Sequence, residues 1–219
     1  MYSKALINLI KEHKRIYWDW NGTLVNDVDL CIDITNSFLT SKEVKNITKD
    51  FYLKNFTIPV KEYYETLDLE KHGITYEEIT ESFVSNYENQ RERQVLYDGV
   101  KPLLKELSLR GIEQFILSAA HTNELVYQLN KHDLSKYIKE ISGADDYTAG
   151  CKLERGQALR SKHGPGIMVG DTVHDIVIGK KMGLETVWVS EGHQCWSKIN
   201  GLKAVDYIFD RKTGDLSLA

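Results

Sequence analysis

The chain is short of the residues that break or staple a fold. Three prolines in 219 residues leave no Pro-rich linker, and no Gly/Ser-rich or repeated segment separates one part of the chain from another. Its three cysteines, Cys31, Cys151 and Cys195, stand far apart and form no CxxC pair. Neither a zinc site nor a disulfide framework is indicated, and a reducing, cytoplasmic location is expected. No apolar run approaches the ~20 residues of a membrane span. The first fifteen residues are interrupted by Lys4, Lys11, Glu12 and Lys14, too polar for a signal peptide. The helical spacing of Leu6, Leu9 and Ile10 predicts a short amphipathic helix there instead. Charge of one sign is also lacking: 28 basic against 32 acidic residues give −4, without the basic excess that nucleic acid binding favours.

What is present is ordinary globular composition, 42% hydrophobic and 27% charged, enough for one or two domains with a sizeable core. The pattern is organised around Ile16-Tyr17-Trp18-Asp19-Trp20-Asn21-Gly22-Thr23-Leu24. The bulky β-formers predict a buried strand, and Asn21-Gly22 predicts a turn, so Asp19 falls where a strand ends. Trp18 is expected in the core and Trp20 towards a substrate. Val25 to Leu39 reads as a helix with Asn26 and Asp27 as candidate caps. Helical patterns continue to about Leu96: one helix after Pro59 around Tyr63, Tyr64, Leu67 and Leu69, and another running to Tyr87 behind a capping box made by Thr75 and Glu78. The tyrosines of this insert are expected in its own core or at its surface. From Asp98-Gly99 onward strands alternate with helices, at 113–117, 140–143, 166–171, 185–189 and 207–209 for the strands. The helices fall at 100–110, 123–132, 154–162 and 176–182. Such alternation predicts an α/β fold, a Rossmann-like parallel sheet with helices on both faces and an inserted small α-helical cap. The expected division is 1–25 with 97–219 for the core and 26–96 for the cap.

Parallel strands bring their carboxyl ends to one rim, so Asp19, Ser118 and Asp171 should meet there. Lys152, placed in a loop, should reach the same rim, and Asp175 lies one helical turn beyond Asp171. Clustered carboxylates repel unless a cation sits among them. An all-oxygen set without His or Cys favours a hard ion, Mg²⁺. A phosphoryl group could then be held by Ser118, Lys152 and the backbone N–H groups around Gly22 and Thr23, and attacked by a carboxylate.

Four ordered stretches, Asp19-Trp20-Asn21-Gly22-Thr23-Leu24, Leu117-Ser118, Lys152 and Gly170-Asp171-Thr172-Val173-His174-Asp175, resemble the motifs of the haloacid dehalogenase-like (HAD) hydrolase superfamily. The match runs from about Ile16 to Val189, and the helical insert resembles the cap of phosphoglycolate phosphatase-like members. The resemblance implies a phosphatase acting on a small phosphorylated molecule, with no nucleic acid or membrane partner, as monomer or homodimer. It implies Asp19 as nucleophile and Mg²⁺ ligand, Asn21 as a carbonyl ligand, and Asp171 and Asp175 as the remaining metal carboxylates. It implies Ser118, Ala119, Gly22, Thr23 and Lys152 as phosphate contacts, with Lys152 also orienting Asp19.

Two positions depart from the family pattern. Asn21 stands where an acid–base aspartate is usual, and an amide cannot deliver a proton at neutral pH. That help is worth about 10²–10⁴-fold, so alkyl phosphomonoesters should turn over slowly, and acyl or aryl phosphates should suffer less. His174, His121 or a cap residue are the candidate substitutes; each histidine also reads as an ordinary helix residue. Leu153 replaces the proline that often follows the family lysine, which leaves Lys162 as an alternative to Lys152. Arg91 and Arg93 could meet a substrate carboxylate, or only water, and Gly192-His193-Gln194 reads as a loop at the edge of the site. A phosphotransferase or mutase, a phosphometabolite-binding module and, least of all, a dehalogenase are the competing functions.

Overall fold

The computed structural model describes residues 4–144 and 152–219; Cys151 lies outside the described residues. The chain opens with α1 (Lys4–Lys11), β1 (Arg15–Trp18), β2 (Val25–Asn26) and α2 (Val28–Ser41). There follow α3 (Lys49–Asn55), α4 (Val60–Glu65), α5 (Tyr76–Asn89) and β3 (Val95–Leu96). The rest alternates: α6 (Val100–Leu109), β4 (Glu113–His121), α7 (Thr122–Lys131), β5 (Glu140–Ala144), α8 (Lys152–His163), β6 (Ile167–Gly170), α9 (Val173–Lys181) and β7 (Glu185–Val189). A short α10 (Trp196–Ile199) and β8 (Tyr207–Phe209) with β9 (Leu216–Leu218) complete it.

Seven strands form one sheet in the order β5-β4-β1-β6-β7-β8-β9. All pairings are parallel except β8 with β9. β1 is central because both its faces are apolar. Ile16 and Trp18 enter one core with Ile116, Ile167 and Val169, beside Leu6 and Ile10 of α1 and Leu104 and Leu107 of α6. Tyr17 points the other way, into a cluster with Phe115, Leu117, Met168, Leu159 of α8 and Ile178 of α9. The period-two alternation of a pleated strand, with helices over both surfaces, is what a buried parallel sheet requires. β4 lies on one side of β1 and β6 on the other, so the chain reverses direction across the sheet at β1. The crevice at such a reversal is where open α/β sheets bind ligands.

Between β2 and β3 the chain builds a separate apolar cluster, including Val28, Phe38, Tyr52, Tyr63, Leu69 and Ile79. Thr75 and Glu78 close the expected capping box at the start of α5.

Several elements differ from the sequence reading. Val25 and Asn26 are not helical; they pair antiparallel with Leu96 and Val95, so the outgoing and returning chain form a two-stranded ribbon. The expected helix after Pro59 is a short α4 followed by a 3₁₀ turn at Leu69–His72, because Asp68 adopts a left-handed conformation between them. Ser118-Ala119-Ala120 does not end β4, which runs on to His121 with an irregular register against β5. α3, α10 and β9 are additional to the reading. The first of these begins at a Thr48 cap that accepts from the Phe51 N–H.

Candidate active site

Asp19 follows the last residue of β1, and its N–H donates to the Val169 carbonyl at 2.9 Å, which ties the strand end to β6. The chain then folds into a tight turn in which the N–H groups of Leu24 and Val25 donate to the Trp20 carbonyl at 2.8 and 3.0 Å. Gly22 has φ +69°, and a Cβ built there would lie 2.3 Å from Asp171 Oδ2, so both conformation and space demand glycine. Arg211 supports the turn from below, donating to the Gly22 and Thr23 carbonyls at 3.2 and 2.8 Å.

Asp171 follows the last residue of β6, and Asp175 sits in the first turn of α9. There it closes a capping box with Thr172: Thr172 N donates to Asp175 Oδ2 at 3.1 Å and the Asp175 N–H returns to the Thr172 hydroxyl at 3.3 Å. Lys152 is the first described residue of α8 rather than part of a loop. Its Nζ lies 2.6 Å from Asp19 Oδ1 and 2.6 Å from Asp175 Oδ1, with all three side chains buried. Thr23 donates to Asp171 Oδ1 at 2.8 Å. The result is three carboxylates, Asp19, Asp171 and Asp175, each with an oxygen within 4.8 Å of the others, and a single ammonium.

The electrostatics follow from that imbalance. Burial, reinforced by the charge of Asp175 and Asp171, pushes Asp19 up to about 8 despite Lys152. Burial also raises Asp171, against the partial relief given by His193. For Asp175 burial acts upward too, but the charge and hydrogen bond of Lys152 win and hold it below the usual range. One positive charge therefore serves three buried carboxylates unequally, and the oxygen donor set fits a hard divalent cation that would ionise Asp19 fully.

Beside this cluster lies a second network that sequence reasoning missed. Asp27 occupies the cap position of α2 but makes no side-chain cap bond. Its buried carboxylate instead accepts from Gly22 N at 3.0 Å, Asn21 Nδ2 at 2.7 Å and the Tyr87 hydroxyl at 2.7 Å, and meets His193 Nε2 at 3.2 Å. The other ring nitrogen of His193 lies 2.8 Å from the Tyr52 hydroxyl, and its backbone N–H donates to Asp171 Oδ2 at 2.6 Å. Burial pushes His193 down, but Asp27 outweighs it and holds the ring at about 9. The only signal for this pair in the sequence was its proximity to Asn21 and to the end of β7; the 166-residue separation of Asp27 and His193 hid the contact.

A cavity of about 240 Å³ opens over the cluster. Asp19, Asn21, Ser118, Ala119, Lys152 and Asp175 all line it. Gly22, Thr23 and Asp171 stand behind that wall, joined to it through Asp27 and Asp19. Ser118 is buried within β4, where the register against β5 becomes irregular, and its Oγ accepts from the Ala120 N–H at 3.1 Å. One expectation fails and several open alternatives are resolved. Trp20 does not face a substrate; it is fully buried in the main core and donates through Nε1 to Gln128. Lys162 pairs with Glu140 at 2.8 Å on the surface, away from Asp19. Arg91 stacks on Tyr127 and Arg93 pairs with Asp33, so neither reaches the cavity. His174 is not in the cavity wall, whereas His121 is. Tyr63, Tyr64 and Tyr87 belong to the insert, as expected, but they also line the cavity.

A parallel sheet with a carboxylate cluster at its reversal point is a general design, and comparison with known proteins narrows it. Residues 16–189 match the family of haloacid dehalogenase-like hydrolases, and the chain belongs to that family. It is 27% identical over 192 residues to a protein named pyrophosphatase PpaX from Anoxybacillus flavithermus, covering 82% of this chain and 86% of that one. Among solved structures it resembles a haloacid dehalogenase-like family hydrolase from Streptococcus pneumoniae, with a TM-score of 0.73, 19% identity and 90% and 93% of the two chains covered. It also resembles a "predicted phosphoglycolate phosphatase" from Haemophilus somnus, with a TM-score of 0.73, 20% identity and 91% and 94% covered. These two structures share the fold. Among the described residues no helix is long and apolar enough to cross a membrane.

Proposed function

We propose that this hydrolase is a Mg²⁺-dependent phosphatase of small phosphorylated molecules and that Asp19 carries the phosphoryl group. The observation that carries the reading is the position of Lys152 Nζ, 2.6 Å from both Asp19 and Asp175, with an Asp171 oxygen within 4.8 Å of both carboxylates. Asp19, Asp171 and Asp175 would hold Mg²⁺, with the Asn21 carbonyl as a further ligand. The ion supplies the charge that lets a dianionic phosphate approach ionised carboxylates.

Lys152 orients one oxygen of Asp19 and leaves the other to attack. Asp19 forms a bond to phosphorus while the bond from phosphorus to the leaving oxygen breaks, and that oxygen departs with its electron pair. Ser118, the Ala119 N–H and Lys152, all lining the cavity, would hold the equatorial oxygens as charge builds on them. Water then attacks the aspartyl-phosphate, releasing inorganic phosphate and restoring Asp19. Residues 26–96 act in this scheme as the cap, joined to the core by the β2–β3 ribbon and closing the cavity against bulk water.

Turnover of an aryl phosphate should require Mg²⁺, stop with EDTA and fall below detection in Asp19→Asn. Undiminished, metal-independent turnover in that variant would refute the scheme.

A phosphotransferase is the second reading, and a specific contact favours it. The Asn21 amide is engaged by Asp27 and the Tyr87 hydroxyl at 2.7 and 2.6 Å, so this position offers no base to an attacking water. Retention of a trapped phosphoenzyme until an acceptor alcohol is added would select it. The name of the relative described above adds inorganic pyrophosphate to the substrates to be tried.

A further inference from the structure

Phosphatases of one fold differ in what they accept beyond the phosphate, and the wall of the cavity above Asp19 is distinctive. We propose, resting on the phosphatase reading, that the substrate is a phosphate monoester of an uncharged aromatic alcohol or phenol, and not pyrophosphate or a phosphorylated small acid.

Three observations carry this. The first is the lining. Away from the carboxylate cluster the wall is built by Tyr52, Phe56, Tyr63, Tyr64, Phe83 and Tyr87. Their rings already pack on one another in several geometries: Tyr52–Phe56 and Phe83–Tyr87 are stacked at 5.1 and 5.7 Å between centroids, Tyr52–Tyr63 meet edge-to-face at 5.4 Å, and Phe56–Tyr63 are tilted at 5.6 Å. A flat ring entering such a wall finds faces and edges to stack on.

The second is charge. Of the groups that line the cavity, Asp19, Asp27, Glu88, Glu124 and Asp175 are carboxylates, and Lys152 is the only lysine or arginine among the described residues there. Lys152 is already shared by Asp19 and Asp175. Residues 145–151 bring no lysine or arginine to the sequence either. His193 also lines the cavity, but its two ring nitrogens are engaged by Asp27 at 3.2 Å and the Tyr52 hydroxyl at 2.8 Å, so a second phosphate, or a carboxylate on the leaving group, would lie among negative charges with no uncommitted lysine or arginine to receive it.

The third is size and polarity. The cavity of about 240 Å³ has room for many water-sized groups, since one water needs only ~10–15 Å³, and so for a ring beside the phosphate. Two hydroxyls in the wall, Tyr63 Oη and Thr80 Oγ1, are buried without a hydrogen-bond partner among the described residues. Buried hydroxyls are nearly always paired, so a single uncharged polar group on the substrate fits here. Asn21 agrees with this chemistry. With no carboxylic acid at that position, the leaving oxygen must depart without a proton from it, which a phenol does far more readily than an alkanol.

The test uses the full-length protein with Mg²⁺ and four compounds: 2-naphthyl phosphate, benzyl phosphate, ethyl phosphate and pyrophosphate. Benzyl and ethyl phosphate both release an alkoxide, so their comparison isolates the pocket from leaving-group reactivity. The expected result is a kcat/KM about ten-fold or more higher for benzyl than for ethyl phosphate, with 2-naphthyl phosphate highest and pyrophosphate lowest. Val84→Trp, which narrows the wall, should raise KM for 2-naphthyl phosphate about ten-fold more than KM for ethyl phosphate. Equal values for benzyl and ethyl phosphate, or preference for pyrophosphate, would overturn the aromatic assignment and leave the phosphatase intact. Hydrolysis of none of the four would overturn the phosphatase reading. In that event, competition against a fluorescent ligand decides the pocket: 2-naphthyl phosphate binding about ten-fold tighter than inorganic phosphate upholds it, and equal binding removes it.

Discussion

At the residue scale the site turns on Asn21. Its amide donates to Asp27, so an aspartate introduced there would face a buried carboxylate across the 2.7 Å now spanned by a hydrogen bond. Two carboxyls that close share a proton, and one is held protonated near neutral pH. Asn21→Asp should therefore gain a proton donor and lose stability together. Turnover of ethyl phosphate is expected to rise about ten-fold or more, within the range of general acid catalysis. Urea unfolding should show a loss of about 1–3 kcal/mol, the cost of a buried polar contact turned unfavourable. A stable but no more active variant would mean that another group already serves the leaving oxygen. Asp19 and Asp171 were legible because each follows an apolar strand, and Asp175 because it lies one helical turn beyond Asp171. Asp27 and His193 were not, since a cap position and a loop histidine carry no chemistry until the fold sets them 3.2 Å apart.

At the element scale, strands were read better than the helices of the insert. β1, β6 and β7 are short, doubly buried and bounded by turn residues, and such segments have one way to fold. The region 43–72 contains three short helical pieces, too short to show a periodic face, and tertiary packing sets their ends. α5 is the exception, because Thr75 and Glu78 mark its start chemically. Thr75→Ala removes that mark: the Glu78 N–H loses its 3.2 Å acceptor. Denaturant unfolding should show a loss of about 0.5–2 kcal/mol, as for other helix caps. Because α5 also carries Phe83 and Tyr87 into the cavity wall, KM should rise with that loss more than kcat falls. A loss of stability with KM unchanged would show that the start of the helix does not govern the wall at its other end.

At the scale of the whole molecule, two apolar cores meet across a cavity floored by excess negative charge. That charge links cation binding to pH. Asp19, raised to about 8, keeps its proton over the neutral range in the metal-free protein, and a divalent ion must displace it. Mg²⁺ affinity should then climb between pH 6 and pH 8, by at most about ten-fold per unit, and level off above. Calorimetry in buffers of different ionisation enthalpy would show one proton released at pH 6 and almost none at pH 9. Affinity independent of pH in that window would mean that Asp19 is ionised before the metal arrives.

The sequence by itself determined the α/β alternation and the rim on which Asp19, Ser118, Asp171 and Asp175 converge, and it favoured Lys152 over Lys162 as the cation there. Those features are local: strand periodicity, turn chemistry and the parallel rule place them without knowledge of distant contacts. Only the tertiary structure decided that Trp20 serves the core, that Asp27 is bound to His193, and that the tyrosines of the insert face the site. Each of these depends on which face of an element meets a partner tens of residues away, and that is set by packing between the two cores and not by any pattern within a segment.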